Sequence, residues 1–118
     1  MKTCELSGKA LDWAVALADG LIDVDAEDVP VVGKTYSDGL EYEVLFAPST
    51  EWAHGGLIVE RMLEAGLLLQ ARPEMPHWAA SVDSPNRFVH GPTALIAAMR
   101  CHVARKLGDE VEVPETLR

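Results

Sequence analysis

The chain has 118 residues, of which 48% are hydrophobic, and a net charge of −9 at pH 7. This length suits one hydrophobic core, so we predict a single domain over 1–118 with an acidic C-terminal tail at 109–118. The negative charge argues against a general nucleic-acid binder, because neutralising phosphates requires a basic surface. No run approaches ~18 consecutive apolar residues and the N-terminus lacks a signal-peptide pattern, so we expect a cytoplasmic protein that does not enter a membrane.

The first predicted element is a helix that is capped by Ser7, runs to Asp19 and ends at Gly20. Its alanines and leucines recur at helical spacing, which is typical of one buried face. Lys9, Asp12 and Asp19 fall on the other side of this helix, so we expect them to face solvent.

An acidic connector at 21–28 leads to two strand-like runs around residues 37–39. Aspartate and glycine tolerate the backbone that a tight turn needs, so these runs predict a β-hairpin. The second run alternates apolar with acidic residues, which predicts a strand whose buried face carries Tyr42, Val44 and Phe46.

A second helix is predicted over 49–65, with Ser49 or Thr50 as its N-cap. Its apolar stripe comprises Trp52, Gly55, Gly56, Val59, Met62 and Leu63. Glycine costs a helix interior ~1 kcal/mol relative to alanine, so the adjacent Gly55 and Gly56 indicate close packing, a kink or a later helix start.

After Gly66, the runs "LLLQAR", "HWAASV" and "RFVH" predict strands separated by a "PEMP" break and an "SPN" turn. Thr93 and Gly108 bound a last helix. Its apolar face is formed by Leu95, Ile96, Met99, Val103 and Leu107.

The order of the predicted helices and strands indicates an α+β fold in which about three helices sandwich a small mixed or antiparallel sheet, similar to an α/β/α sandwich. The run "GLLLQA" predicts an edge strand that a second copy covers in a homo-oligomer.

Two strand-to-helix joints, "VLFAPSTEW" and "RFVHGPTAL", resemble each other. If the strands before them run in the same direction in one sheet, both helix N-termini lie at one edge and their N–H groups suit a carboxylate or phosphate. Trp52 or Trp78 then offers a stacking surface. The candidate ligand-binding residues are Ser49, Thr50, Trp52, His54, Gly55, Gly56, Arg61, Gly91, Thr93 and Arg100. The competing interpretation is that these joints only cap helices and that Trp52 belongs to the core.

The sequence offers little for catalysis. The "HGG" at 54–56 is not followed by a GxSxG nucleophile motif, and Cys101 and His102 are helix neighbours that point apart. The four histidines lack close zinc-ligand spacing, so we predict neither a metal nor a cofactor.

Cys4 and Cys101 are expected to be small buried residues without a disulfide. Six basic residues lie within 61–108 and either converge on one patch or are solvated: Arg61, Arg72, Arg87, Arg100, Arg105 and Lys106.

The blocks "ELSGKALDWAVALADG", "APSTEWAHGGLIVER" and "GPTALIAAMRCHVARKLGDEVEVPETL" resemble the NinX-like family of small tailed-phage proteins, in the same order and over about two thirds of the chain. The chain departs from the family pattern at Glu51 (Asp or Asn), His54 (Gln), and at Leu57 and Ala94 (Pro). The resemblance implies a phage or prophage origin, an accessory protein made in the bacterial cytoplasm, and a sheet sandwiched between helices. It implies no reaction.

We therefore expect a non-enzymatic phage accessory protein that binds a small anionic or nucleotide-like ligand at the paired helix N-termini, for example to sequester a host signalling molecule. The alternative is a protein–protein interaction module without a small ligand that modulates a host or phage protein, and whose acidic N-terminal half either mimics a polyanion or faces a basic partner. A small hydrolase that uses His54 ranks third.

Overall fold

The computed structural model describes residues 1–73, 77–82 and 87–118. Its elements are a 3-10 turn (Thr3–Glu5), α1 (Gly8–Ala18), β1 (Val31–Ser37), β2 (Leu40–Leu45), α2 (Trp52–Glu64), β3 (Leu67–Arg72), β4 (His77–Val82), β5 (Val89–Gly91), α3 (Ala94–Leu107) and a 3-10 turn (Glu115–Leu117). The predicted α+β class is confirmed. Residues 74–76 of the predicted break and the predicted turn at 84–86 lie outside the described residues.

The strands form two antiparallel sheets where the sequence predicts one. The hairpin of β1 and β2 is one sheet, and the other has the order β3, β4, β5. Helix α3 is the central element, because it contacts both the three-stranded sheet and α1, while α2 contacts β3 and α3. None of the helices in the described residues is long and apolar enough to span a membrane.

Helix α1 begins after Ser7, as the sequence predicts, although the Ser7 side chain makes no capping bond, and it ends at Ala18 with Asp19 as its C-cap, one residue before the predicted end. The prediction that Asp12 faces solvent is wrong, because Asp12 is only 5% exposed. Every residue from Ala10 to Ala16 is buried, since α1 is enclosed by α3 and the surrounding loops. An amphipathic pattern thus understates how deeply this helix lies in the core.

The hairpin has the predicted turn, with positive φ of 52° at Asp38 and 77° at Gly39. The predicted buried face is wrong for the strand itself. Tyr42 is 48% exposed, and Phe46, which is buried, lies beyond the end of β2. The alternating pattern belongs to a hairpin that lies outside the three-stranded sheet, and among the described residues its main contacts are those between β1 and β2 themselves.

Helix α2 begins at Trp52 with Glu51 as its N-cap, so neither Ser49 nor Thr50 caps it. The helix therefore starts before Gly55 and Gly56, and the later start that these glycines also allowed is not observed. Trp52, which the sequence places on the apolar stripe, is 56% exposed. The last helix is confirmed in detail. The Thr93 hydroxyl accepts a hydrogen bond from Ile96 N at 3.1 Å, and Gly108 is its C-cap.

The acidic tail is extended but anchored. Val111 N donates to Met1 O, the N-terminal ammonium of Met1 donates to Val111 O, and Val113 is buried.

Both cysteines are free, and only Cys101 is buried, so the expectation that Cys4 is buried is wrong. The largest side chains enclosed in the core are Leu6, Leu11, Trp13, Val15, Met99 and Val103.

Candidate functional site

The two strand-to-helix joints line one groove of about 370 Å³. Its lining consists of Ser49, Thr50, Trp52, Trp78, Pro92, Thr93, Ala94, Leu95 and Ile96. The structure therefore brings the N-termini of α2 and α3 together with both tryptophans. The predicted reason for this meeting is wrong, because β2 and β5 belong to different sheets. We call this surface the joint groove.

Close packing of α3 against α2 and against β5 positions the joint groove, and one glycine at each contact permits it. A Cβ on Gly55 would lie 2.5 Å from Pro48 O and 2.8 Å from Leu95 Cδ2, while one on Gly91 would lie 2.6 Å from Ala97 N. These separations are far below van der Waals contact. Gly55 and Gly91 thus act beneath the groove as packing residues, and the structure does not place them in its lining.

The hydroxyl groups that line the joint groove differ in whether they cap a helix. Thr93 is occupied as the cap of α3, whereas neither Ser49 nor Thr50 makes a capping bond to α2. Ser49 is 1% exposed, and its hydroxyl lies beside the carboxyl of Asp12 and not at the end of α2. Helix capping therefore does not explain why serine and threonine stand at this joint.

Asp12 of α1 supports the groove from beneath. Its Oδ1 accepts a 2.8 Å hydrogen bond from Ser49 N, so that N–H is not free for a ligand. Burial raises the pKa of the Asp12 carboxyl, and the nearby Ser49 N–H, Ser49 hydroxyl and His54 only partly offset this effect. The raised pKa favours the neutral acid more than in an exposed aspartate.

His54 holds the shape of the first joint and does not line the groove. Its Nδ1 accepts a 2.8 Å hydrogen bond from Ala47 N, and its ring stacks on Phe46 with the centroids 6.0 Å apart. Asp12 bonds the backbone of Ser49, so these three side chains do not form a serine–histidine–aspartate relay. Gly56 follows on the same helix and likewise lies outside the groove lining.

The predicted basic partners lie elsewhere. Arg61 lines a separate depression of about 280 Å³ that also contains Asp19, His102, Arg105 and Lys106. Arg100 donates from Nε to Leu6 O at 2.7 Å and from Nη1 to His90 O at 2.9 Å. The basic residues therefore separate into at least two groups, and neither Arg61 nor Arg100 reaches the joint groove.

Sequence reasoning missed two features of the site region. Asp12 and Ser49 are 37 residues apart, and no local signal connects them. His77 and His90, whose ring nitrogens lie 3.0 Å apart, occupy two strands that the sequence does predict. Pairing those strands as antiparallel neighbours would have placed the two histidines on one face.

The family comparison agrees with the resemblance of the three sequence blocks. The family model described as "Bacteriophage P22, NinX" matches residues 2–106. A search of curated proteins found no match.

Proposed function

This chain belongs to the bacteriophage P22 NinX family, and we propose that it is a non-enzymatic phage accessory protein whose joint groove binds a small anionic or nucleotide-like ligand. One observation carries the proposal, namely that two helix N-termini and two tryptophans line the same groove. The first N–H groups of each helix have no partner within the helix, and the helix dipole favours negative charge there. The two indole rings suit a planar ring beside that charge.

A ligand panel tests the proposal. Nucleoside monophosphates and small carboxylic acids at millimolar concentration are screened by thermal unfolding and tryptophan fluorescence. A ligand at 100 times its Kd adds about 2.7 kcal/mol to the free energy of unfolding. Trp52→Ala abolishes the fluorescence response and the stabilisation. Trp52 is largely exposed, so this variant folds.

Leu57→Ala is the matched control, because Leu57 is an exposed residue of the same helix that does not line the groove. This variant retains the response. A panel without any stabilising compound, or a response that survives in Trp52→Ala, contradicts binding at the joint groove.

The hairpin of β1 and β2 favours a second candidate function, binding to a basic protein. Every residue of β1 is exposed, and the apolar side chains of the hairpin that face solvent are Val31, Val32, Tyr36, Leu40 and Tyr42. An isolated two-stranded hairpin is marginally stable in water, so a partner that covers this surface adds stability. The pairing of Lys34 with Glu41 leaves Asp38 and Glu43 to attract basic groups.

The double variant Tyr36→Ala/Tyr42→Ala tests this second candidate. Wild-type protein recovers one stoichiometric partner from an infected lysate, and the double variant loses it. Leu63→Ala, which removes an exposed leucine from α2, keeps the partner. Equal recovery by the wild type and the double variant contradicts docking through the hairpin.

A further inference from the structure

A second cavity, of about 520 Å³, lies beside β5. Its lining includes Cys4, His77, Arg87, Phe88, His90 and Arg100. We call it the basic cleft, after its two histidines and two arginines. It shares Pro92 with the joint groove but contains none of Ser49, Thr50, Trp52 and Trp78, so the two are neighbouring sites with largely different linings.

Arg100 carries a fixed positive charge into the basic cleft. Its two hydrogen bonds end on the backbone carbonyls of Leu6 and His90, which are neutral acceptors. No carboxylate among the described residues pairs with it. The guanidinium is therefore held in place while its charge remains uncompensated.

Two further arginines surround the same histidines. The Arg72 guanidinium lies over the Phe88 ring, 5.1 Å from its centroid, and its buried Nε has no hydrogen-bond partner among the described residues. Arg87 pairs with Asp109 at 2.8 Å, but both side chains are more than two-thirds exposed, and such pairs contribute little to stability. Arg87 can therefore turn from Asp109 to a ligand at small cost.

His77 and His90 form a proton-sharing pair. Their rings meet edge to face, with His77 Nε2 3.0 Å from His90 Nδ1, so one nitrogen carries a proton and the other accepts it. Burial, followed by the charges of His77 and Arg72, lowers the pKa of His90. The groups that face this pair are Arg72 from β3, Arg87 and Phe88 from the segment before β5, Arg100 from α3, Asp109 from the tail and Cys4 from the N-terminal segment.

The charge balance decides which ligand fits. A nitrogen separation near 3 Å also suits two ligands of a zinc ion, whose Zn–N bonds are about 2.0–2.1 Å long. Three arginines near the histidine pair disfavour a cation, and Asp109 is the one carboxylate in the cleft lining. Arginine forks match the oxygens of a phosphate group.

We propose that the basic cleft binds a phosphate group, separately from the joint groove, and that occupancy draws one additional proton onto the His77–His90 pair, which makes one of the two neutral rings cationic. A dianion near the two rings favours this charged form. Binding is then tighter at low pH, where the additional proton is available, and weaker as pH rises.

Isothermal titration calorimetry with inorganic sulfate isolates the proton coupling, because sulfate stays a dianion across the range and only the protein titrates. We expect the affinity to fall at least about tenfold between about pH 5.5 and about pH 8. His90→Gln weakens this pH dependence, because only His77 of the pair remains to take up the proton. Arg87→Gln, at an exposed position, weakens binding at both pH values. Lys106→Gln is the control from the other basic group and leaves binding unchanged.

Inorganic phosphate and ribose 5-phosphate distinguish the source of the phosphate group, and the tighter binder identifies it. Sulfate affinity that is the same in wild type, Arg87→Gln and His90→Gln overturns the proposal. So does tight zinc binding that is lost in His90→Gln in a protein that binds no oxyanion. Trp52→Ala leaves sulfate binding intact, so failure of the joint groove and failure of the basic cleft are distinguishable.

Discussion

The carboxylate of Asp12 in α1 accepts a 2.8 Å hydrogen bond from the backbone N–H of Ser49, which stands at the start of the joint before α2. Both residues are buried. This contact ties the first helix of the chain to the floor of the joint groove, so α1 positions the candidate site although it contributes nothing to its lining.

Asp12→Asn and Asp12→Ala separate the charge of this residue from its hydrogen bond. Asparagine keeps an acceptor for Ser49 N, whereas alanine leaves that buried N–H unpaired. We expect Asp12→Ala to lower the free energy of unfolding by about 1–3 kcal/mol and Asp12→Asn to change it far less. Urea unfolding at neutral pH measures both. An equal loss in the two variants contradicts the role given to this hydrogen bond.

The wild type and Asp12→Asn are expected to differ in how their stability depends on pH. Burial raises the pKa of Asp12 in the folded state above the ordinary value of 3.8, so the folded protein holds this proton more strongly than the unfolded chain. The contribution of Asp12 to stability is therefore complete below that value and is lost as pH rises through the raised pKa. Relative to Asp12→Asn, the wild type loses stability with rising pH in this window. A constant or opposite difference between the two unfolding profiles contradicts the shift.

The adjacent glycines of α2 give a matched pair of variants. Gly55→Ala places a Cβ 2.5 Å from Pro48 O, while nothing lies within 4 Å of a Cβ on Gly56. We expect Gly55→Ala to destabilise the protein by about 1–3 kcal/mol, as overpacking does. Gly56→Ala stabilises it by about 0.5–1 kcal/mol, because alanine is the better helix former. Thermal unfolding of both variants is the measurement, and two changes of the same sign refute this assignment.

Glu51 affects ligand binding through charge. It is the exposed N-cap residue of α2 and makes no side-chain capping bond, so its carboxylate competes with an anion for the positive end of the helix. We expect Glu51→Gln to tighten binding of an anionic ligand in the joint groove by about two- to fivefold. Fluorescence titration measures this change. Weaker binding in Glu51→Gln would indicate that the ligand is not an anion.

The hairpin of β1 and β2 is predicted to open more readily than the rest of the described structure. It pairs with no other strand of the described ranges and is exposed over nearly its whole length. Few buried contacts imply a low free energy of local opening. Hydrogen–deuterium exchange is expected to be fast at residues 31–45 and slow in the buried turns of α3. Equal protection in free protein indicates that the hairpin is already covered, as in a homo-oligomer.

Local signals in the sequence account for much of the fold. Thr93 and Gly108 bound α3 because capping depends on neighbouring residues alone, and Asp38-Gly39 set the hairpin turn for the same reason. The alternation of Tyr42 and Val44 predicts a buried face wrongly, because the same pattern occurs in an exposed hairpin and in a half-buried strand. Which surface a strand meets is decided by distant residues.

The candidate site was predictable in part for the same reason. Two similar joints pointed to Ser49, Thr50, Trp52 and Thr93, and the structure places these four in one groove. Arg61 and Arg100 were assigned by charge alone, and their positions depend on which faces of α2 and α3 meet the groove. The burial of Asp12 depends on its partner 37 residues away, which no periodicity reveals.

Native mass spectrometry of protein purified gently from phage-infected cells tests the ligand-binding proposal most directly. We expect the wild type to retain a small molecule of defined mass, Trp52→Ala to lose it and Leu57→Ala to keep it. Wild-type protein that carries no bound mass, while the hairpin retains a stoichiometric protein partner, would contradict the proposal and favour the interaction module.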